Sequence, residues 1–476
     1  MSSRGKITDR ARDASEDAQL SAPARVEQLL RARCAAGRAG QRLPSVRELM
    51  RELGASPVTI SRALKQLELE GLLQAQPGAG TFIAAKKRER PSLDFAWQSL
   101  VLGAAPPAAA LHALVSEVAP GSIQLASGYA DASLIPVKEL SRAARSALNT
   151  GSGWDRAPLS GLPELRSWFA LRVGADYAAD DVLIVQGGQA AIHSVFRAVT
   201  RPAGGLLVES PTYVGAIEVA RALGVELVPV PCDEHGVVPE FLERAFEQSR
   251  ASAFYCQPLH QNPTGSVLLR ERRAEVLDIA RRHSAFVIED DYARGLSFEP
   301  APPTLASEAP GQVIYIRSLT KCTAPSLRVA AICGKGPVLE RVATARVLED
   351  FFVPRLLQET ALGLVSSSGF ERHLARLGRV LEDRMTVLQT ELAARLPSWR
   401  TVVQPRGGFN LWLELPGGTS AVELGRRAAS VGVRLNPGAS WFPAEPISEY
   451  VRLSVAAATV PEIRLGVERL ALANVS

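Results

Sequence analysis

The sequence lacks the features that mark membrane, secreted and disulfide-stabilised proteins. It has no run of eighteen or more apolar residues, and residues 1–17 alternate charges where a signal peptide would carry an apolar core. Its five cysteines are scattered, odd in number and free of CxxC spacing, so neither a disulfide framework nor a zinc site is indicated, and no metal is predicted. These absences predict a cytoplasmic protein with reduced thiols and no membrane partner.

Positive charge is concentrated at one end of a chain that is long enough for several domains. The 476 residues, 46% hydrophobic and 22% charged, are typical of a globular protein with two or more domains. Residues 1–90 hold 17 Lys and Arg against 10 Asp and Glu, a net charge of +7, whereas the remaining residues have a net charge of −2. This asymmetry favours a nucleic-acid-binding module joined to a nearly neutral domain; a solvated basic tail is the alternative.

The basic segment has the pattern of a helix-turn-helix. An amphipathic helix is predicted at residues 22–34, and a second helix begins after Ser45, where Glu48 can complete a capping box. Ser56 then caps a third helix that runs to about residue 70. The outward-facing side chains of this third helix are candidate contacts to a DNA groove and to phosphates: Val58, Thr59, Ser61, Arg62 and Lys65.

A glycine-rich β-hairpin at residues 72–83 is predicted to form a wing, which a plain three-helix bundle would not have. The sequences RLPSVREL at 42–49, LGAS at 53–56 and GAGTF at 78–82 resemble the winged helix-turn-helix of GntR-type bacterial repressors. From this resemblance we assign residues 18–85 to a mainly α-helical DNA-binding domain.

The same resemblance implies roles for individual residues. Arg47 would contact double-stranded operator DNA, and Ser56 and Thr59 would lie near phosphates. Gly78 would let the wing approach the DNA. Pro57 stands where the family commonly carries arginine, so no base-reading role is transferred to that position.

The pattern changes after the basic module. Residues 86–120 are charged or low in complexity and are predicted to be a linker with a short helix at 111–118. Residues 121–476 alternate apolar strands with longer amphipathic segments, which predicts an α/β domain with a mainly parallel sheet. The predicted strands are 182–185, 205–208, 226–230, 253–256, 285–288, 313–316 and 329–333.

The most informative stretch is 313–328, where an apolar strand precedes Lys321 and Arg328 follows seven positions later. A lysine that forms a Schiff base beside a phosphate group would require this arrangement, although a lysine after a strand is more often a solvated charge. Polar segments follow several other strands, at the sheet edge where ligands bind in such folds. These segments are 187–190, 210–213, 260–265 and 289–292.

Together these segments supply the groups that pyridoxal 5′-phosphate requires. The helix start at Gly188 and Gln189 would bind the phosphate through backbone amides. Ser318 and Arg328 would add a hydroxyl and a guanidinium. Tyr213 would stack on the pyridine ring.

The remaining predicted residues act on the reactive part of the cofactor and on its substrate. Asp290 would keep the pyridine nitrogen protonated, and Lys321 would carry the Schiff base. Asn262 and Tyr292 would hydrogen-bond the phenolic oxygen. Arg452, on a short predicted strand, would bind a substrate carboxylate.

The order of these groups resembles the fold-type-I aminotransferases over residues 121–476, including a smaller C-terminal α+β part. With the N-terminal module, the whole chain is similar to the MocR subfamily of GntR regulators, in which an aminotransferase-like domain senses an effector. This resemblance implies a head-to-tail homodimer. The supporting motifs are GLPELR at 161–166, PTY at 211–213, PSLR at 325–328 and GGFNLW at 407–412. Residues 154–160 depart from the family, which often has a tyrosine there that reaches the partner's cofactor, so that role is not assigned.

Two functions follow from the sequence. The preferred one is a regulator that depends on pyridoxal 5′-phosphate, binds operator DNA and senses a small amino compound through transaldimination at Lys321. The alternative is a working aminotransferase with a DNA-binding appendage. A repressor whose large domain has lost the cofactor is disfavoured, because no cofactor-binding position is missing. His193, His260 and Cys322 receive no functional role.

Overall fold

The computed structural model describes residues 22–76, 79–84, 95–102, 109–115, 119, 121–201 and 204–475. None of the helices in these ranges is long and apolar enough to cross a bilayer. The chain divides into two compact units, residues 1–105 and 106–476.

The N-terminal unit contains the predicted winged helix-turn-helix. Its elements are α1 Ala22–Ala36, α2 Val46–Leu53, α3 Pro57–Leu69, β1 Leu73–Gln76, β2 Gly80–Ile83 and α4 Ala96–Leu102. The two strands pair antiparallel, with Leu73 opposite Ile83 and Gln76 opposite Gly80, which confirms the hairpin. Gly78, the predicted wing-tip residue, lies outside the described residues.

Local capping explains why the helices of this unit begin and end where they do. Ser45 accepts a hydrogen bond from the Glu48 amide while the Glu48 carboxylate accepts one from the Ser45 amide, 2.7 Å away. Gly54 ends α2 in the left-handed region at φ 60°, which a glycine adopts without strain. The Ser56 hydroxyl then accepts the Thr59 amide at 3.2 Å. Both predicted caps are therefore confirmed.

The α1–α3 bundle and the hairpin share one small core. Ile60, Ala63 and Leu67 of α3 are buried, as the helical spacing predicts, and Leu64 beside them is half-buried. They pack against apolar side chains from the other elements: Val26, Leu30, Leu43, Leu49, Leu73 and Ile83.

The large unit alternates strands and helices. Its first half contains α5 Ala109–Val115, β3 Ile123–Gln124, α6 Val137–Asn149, α7 Pro163–Val173, β4 Val182–Val185, α8 Gly188–Val199, β5 Gly205–Ser210, α9 Val214–Ala222, β6 Glu226–Asp233, β7 Gly236–Val237, α10 Pro239–Gln248 and β8 Ala253–Cys256. Its second half contains α11 Arg270–Arg282, β9 Phe286–Asp290, α12 Leu305–Glu308, β10 Val313–Ser318, β11 Ala330–Cys333, α13 Pro337–Asp350, α14 Arg355–Val365, α15 Ser368–Arg395, β12 Arg400–Thr401, β13 Asn410–Glu414, α16 Ala421–Ser430, β14 Val433–Arg434, β15 Asn436–Pro437, β16 Tyr450–Ser454 and α17 Val460–Val475.

The central sheet has eight strands in the order β4-β11-β10-β9-β8-β5-β6-β7. The neighbours from β10 through β6 pair parallel, whereas β11 pairs antiparallel with β10 and β4. Side chains alternate between two apolar clusters, so that Val287 joins one and Ile288 the other. All seven predicted strands are present, and the mainly parallel sheet is confirmed.

A smaller antiparallel sheet, β12-β13-β16-β15, forms the predicted C-terminal α+β part. Arg452 lies on β16, where it pairs with Trp412 on one side and Asn436 on the other. The interdomain helix predicted at 111–118 is α5, Ala109–Val115, and residues 116–118 lie outside the described part of the chain.

Candidate functional site

One cavity brings the predicted cofactor residues together at the carboxyl ends of the central strands. It encloses about 910 Å³ when the space of its open mouth is included. Every predicted cofactor and substrate residue lines it: Gly188, Gln189, Tyr213, Asn262, Asp290, Tyr292, Ser318, Lys321, Arg328 and Arg452.

Lys321 projects into this cavity from the loop after β10. Its Nζ donates to the Gly128 carbonyl at 2.9 Å and lies 4.0 Å from the centre of the Tyr129 ring. Burial of the amine, and after it the charges of Arg452 and Arg328, lower the pKa of Lys321 to about 7, while Asp290 acts in the opposite direction. A large fraction of the amine is therefore neutral and nucleophilic near pH 7.

Asp290 ends β9 and is buried. Its Oδ2 accepts hydrogen bonds from the Tyr255 hydroxyl and from Gln257 Nε2, both at 2.7 Å. Burial raises the pKa of Asp290 to about 6, although these two donors act to lower it. Because both donors use the same oxygen, Oδ1 is left for a further partner.

Arg328, Ser318 and the start of α8 form the cationic end of the cavity. Arg328 has a φ of 51° and donates to the Gln186 carbonyl at 2.9 Å. Its guanidinium lies so close to Gly187 that a Cβ there would stand 2.7 Å from Arg328 Nη2. The Ser318 hydroxyl oxygen accepts the Thr320 amide at 3.2 Å, so its own proton is available for an anion.

The Tyr213 ring is fixed in place from two sides. Its hydroxyl donates to Gln189 Oε1 at 3.1 Å, and Gln189 Nε2 in turn donates to the Gly215 carbonyl at 2.9 Å. A side chain at position 215 would overlap the Tyr213 ring. The local sequence therefore orients a flat aromatic face along the cavity wall.

Asn262 and Tyr292 are already engaged by protein groups. Asn262 Oδ1 accepts from Arg452 Nη1 at 2.9 Å, and the Tyr292 hydroxyl donates to the His260 carbonyl at 2.6 Å. A bond from Tyr292 to a cofactor's phenolic oxygen would require its hydroxyl to leave that carbonyl. The predicted role of Tyr292 therefore stays a prediction.

Arg452 is fully enclosed and only partly satisfied. Its Nη2 donates to the Ala126 carbonyl at 2.7 Å, its guanidinium lies 4.8 Å from the Trp441 ring centre, and its Nε is buried without a partner. Burial lowers the pKa of Arg452 to about 10, which still leaves it protonated near neutral pH. It is a preformed cation with an unmet hydrogen-bond donor.

Sequence reasoning missed several residues of the cavity wall. Gln257 could have been predicted, because it directly follows the predicted strand at 253–256. A polar residue at the carboxyl end of such a strand is typical of a binding site. Others come from distant segments with no local signal of function. The additional lining residues are Leu111, Leu114, Val115, Gly128, Tyr129, Ile192, Gln257, Thr320, Phe409 and Asn410.

The predicted DNA-contacting side chains lie on the surface of α2 and α3. Arg47, Arg62 and Lys65 are exposed, and no side-chain hydrogen bond or ion pair to another described residue holds them. The Ser56 and Thr59 hydroxyls bond to each other at 2.9 Å, so the proposed phosphate contact would use the remaining capacity of this pair.

The three residues without a predicted functional role are bonded or buried within the protein. His193 Nδ1 lies 2.7 Å from Glu349 Oε1 on the protein surface. His260 is buried with its Nε2 2.7 Å from Ser297 Oγ, and burial lowers its pKa to about 4. Cys322 is buried, and burial raises the pKa of its thiol to about 11.

Comparison with known proteins agrees with this geometry. Residues 120–470 match the family described as aminotransferase class I and II, and residues 23–83 match the bacterial regulatory proteins of the gntR family. The chain is 26% identical to the HTH-type transcriptional regulator YdfD of Bacillus subtilis over 91% of its own length and 92% of that relative's.

Enzymes are also similar to the large unit. A 2-aminoadipate transaminase of Thermus thermophilus is 32% identical over 74% of this chain and 89% of its own. The crystal structure of an α-aminoadipate aminotransferase from the same species, solved with N-(5′-phosphopyridoxyl)-L-leucine, superimposes with a TM-score of 0.72 at 30% identity, covering 77% of this chain and 95% of that one.

Proposed function

Because the chain belongs to the aminotransferase class I and II family and carries a gntR-family module in the arrangement of MocR-type regulators, we propose that it is a transcriptional regulator that senses a small amino compound at Lys321. The observation that carries this proposal is the presence, in one chain, of a helix-turn-helix with exposed basic side chains and of a cavity that contains a lysine with its pKa near 7. We propose domain limits of 18–85 and 121–476, with 86–120 between them.

The cavity fits pyridoxal 5′-phosphate by its own chemistry. When bound, this cofactor supplies an aldehyde on which amines exchange and a ring that withdraws electrons. Arg328, Ser318 and the amides at the start of α8 offer a cationic cradle for a phosphate. The free oxygen of Asp290 offers a carboxylate for a ring nitrogen, and Thr320 Oγ1 is buried without a partner.

The protein's own groups suit an exchange of amines. Lys321 has its pKa near 7, so it can hold or release a proton without a large cost. Its free amine has a hydrogen-bond acceptor in the cavity, because it donates to the Gly128 carbonyl at 2.9 Å. Arg452, with its unpartnered Nε, is positioned to bind the carboxylate of an amino acid. Asn262 positions Arg452 through the bond to its Nη1.

We further propose a head-to-tail homodimer. Trp154 is 76% exposed and Phe351 is 66% exposed, and apolar side chains of this size favour a covering surface. Arg346 donates to the backbone carbonyls of Leu159 and Phe351, which links the 154–160 segment to the end of α13. Sedimentation of the Trp154→Glu variant should show a shift toward monomer; an unchanged dimer would remove Trp154 from the interface.

The decisive experiment measures operator affinity for wild type and Lys321→Ala, each with and without the amino compound that changes the wild-type visible spectrum most. We expect Lys321→Ala to lose the reducible covalent adduct and the effector response but to keep its DNA affinity, because a ligand shifts an equilibrium only by its differential affinity for two states. An equal effector response in both proteins would show that sensing does not depend on this lysine.

A working aminotransferase is the second candidate, and one observation favours it. Lys321 and all the predicted cofactor- and substrate-binding residues line the cavity, and a 2-aminoadipate transaminase is 32% identical over 74% of this chain. Multiple turnovers of an amino acid with an oxo-acid acceptor would establish an enzyme. A single change of the cofactor spectrum without accumulating oxo acid would favour the sensor.

A further inference from the structure

We propose that the effector is an amino acid with an uncharged, apolar side chain, and that helix α5, Ala109–Val115, forms part of the wall against which this side chain packs. The inference rests on the proposed function and adds the chemical class of the ligand. Helix α5 lies in a segment that was predicted from the sequence to be a linker, and three of its residues line the cavity.

The charged groups around the cavity are already accounted for. Among the described lining residues only four side chains carry charge at neutral pH or near it: Asp290, Lys321, Arg328 and Arg452. Three of them serve the cofactor under the proposed function, and Arg452 remains for one carboxylate. A second charge on the ligand would find no opposite charge among these residues.

Helix α5 and Arg452 both lie next to one apolar cluster at the cavity. Leu114 packs on the cluster formed by Val214, Trp412 and Trp441, and the Arg452 guanidinium lies 4.8 Å from the Trp441 ring centre. This cluster therefore borders both α5 and the predicted carboxylate site. By contrast, Arg328 bonds to the Gln186 carbonyl just before the start of α8, at the cationic end.

Apolar and aromatic side chains form much of the cavity lining, beside uncharged polar residues such as Asn410 and Thr320. Leu111, Leu114 and Val115 of α5 contribute one side, and Tyr129, Ile192 and Phe409 line the same cavity. An ionised glutamate or lysine side chain placed there would lose its hydration without gaining an ion pair, whereas an alkyl side chain would gain from leaving water.

A homologous series tests this directly. The cofactor-loaded protein would be titrated with glycine, alanine, norvaline and norleucine, and with glutamate and lysine, by following the visible spectrum. Affinity should rise about fourfold for each added methylene that becomes buried, and norleucine should bind at least tenfold more tightly than glutamate or lysine. Equal affinities along the series, or tighter binding of glutamate or lysine than of norleucine, would overturn the inference.

Two arginine variants on α5 distinguish the loss of an apolar wall from a general effect of added positive charge. Leu111 lines the cavity and is half-buried, whereas His112 is exposed and does not line it. Leu111→Arg should weaken norleucine at least tenfold and shift the glutamate-to-norleucine ratio at least tenfold toward glutamate; His112→Arg should change neither. Equal effects of both variants, or no effect of Leu111→Arg, would contradict a role for α5.

A third variant covers the case in which Leu111→Arg does not fold. Leu111→Ala keeps the charge constant, and it should weaken norleucine several-fold while leaving glycine unchanged. If glycine and norleucine were affected alike, α5 would not contact the side chain. A wild-type protein whose spectrum responds to none of the amino acids would instead refute the proposed function.

Discussion

The N-terminal module and the cavity both rely on arginine and lysine, but they hold these residues in opposite settings. Arg47, Arg62 and Lys65 are exposed, and no side-chain hydrogen bond or ion pair to another described residue restrains them. Arg452 is 3% exposed and bonded to Asn262 and the Ala126 carbonyl, and the pKa of Lys321 is lowered by burial. The first group is exposed and screened by solvent, whereas the second is desolvated and oriented.

This difference predicts how each region responds to substitution. Solvent screens an exposed cation, so removing it changes a long-range interaction by a small, salt-dependent amount. A buried charge has lost its hydration, and removing its partner leaves an uncompensated charge in a poorly solvated site. The two regions should therefore differ in magnitude, in salt dependence and in pH dependence.

The largest effect is expected at Asp290. Replacing Asp290 by Ala removes the carboxylate that would pair with a protonated ring, and should weaken cofactor binding by a few kcal/mol, about a hundredfold or more. Equilibrium dialysis against pyridoxal 5′-phosphate measures this, and the effector response should fall with it. An unchanged affinity would mean that another group serves the ring nitrogen.

The second effect is on the pH dependence of cofactor uptake. Only the neutral amine attacks an aldehyde, and the pKa of Lys321 is about 7 instead of its ordinary value of 10.5. The rate at which apoprotein takes up pyridoxal 5′-phosphate should therefore rise about a hundredfold from pH 5 to pH 8 and then level off. A stopped-flow midpoint near pH 10 would contradict an enclosed amine.

The lowered pKa of Lys321 also predicts the direction in which stability changes with pH. Between pH 7 and 10.5 the unfolded chain binds a proton at Lys321 that the folded protein does not, so the free energy of unfolding should increase with pH across this window. Lys321→Met has no such proton, and its unfolding should lack this increment. Parallel pH profiles of the two apoproteins would remove Lys321 as the cause.

Much of this architecture was predictable because it is local. The predicted strands at 182–185 and 253–256 match β4 and β8 to the residue, since a short apolar run bounded by turn residues defines a buried strand. The caps at Ser45 and Ser56 were predictable for the same reason, because the capping residues are three positions apart in sequence.

The unpredicted parts depend on contacts between distant segments. The antiparallel orientation of β11 between β10 and β4 follows from packing that spans almost 150 residues, and no local pattern encodes it. Gly128 and Tyr129 meet Lys321 across a separation of nearly 200 residues. Helix α5 has an ordinary apolar composition, so its place on the cavity wall was visible only in three dimensions.

A smaller effect on cofactor binding is expected at Gln257, which donates to Asp290 and was not predicted from the sequence. Gln257→Leu removes one of the two donors to Asp290 Oδ2 and should weaken cofactor binding about tenfold, because a hydrogen bond to a charged group contributes about 1.5–3 kcal/mol. Tyr255→Phe removes the other donor and is the matched comparison.

The double variant then tests whether the two donors act through one carboxylate. Their effects should be non-additive, since both bonds end on the same oxygen. Strict additivity would show that the two donors do not affect cofactor binding through Asp290 Oδ2, and an effect of either variant on DNA affinity alone would contradict a role in cofactor binding.

The smallest effect is expected on the exposed side of the comparison, at Arg47. Arg47→Ala should lower the slope of log affinity against log salt by about 0.9 if the side chain contacts one phosphate, or cost about 1–3 kcal/mol at one operator position if it contacts a base. The visible spectrum of the bound cofactor should not change. Arg33→Ala is the matched control, because Arg33 is exposed in the same module but pairs with Glu52 at 2.8 Å. If both variants weakened operator binding equally, overall charge alone would account for the affinity, and the predicted contact between Arg47 and DNA would be wrong.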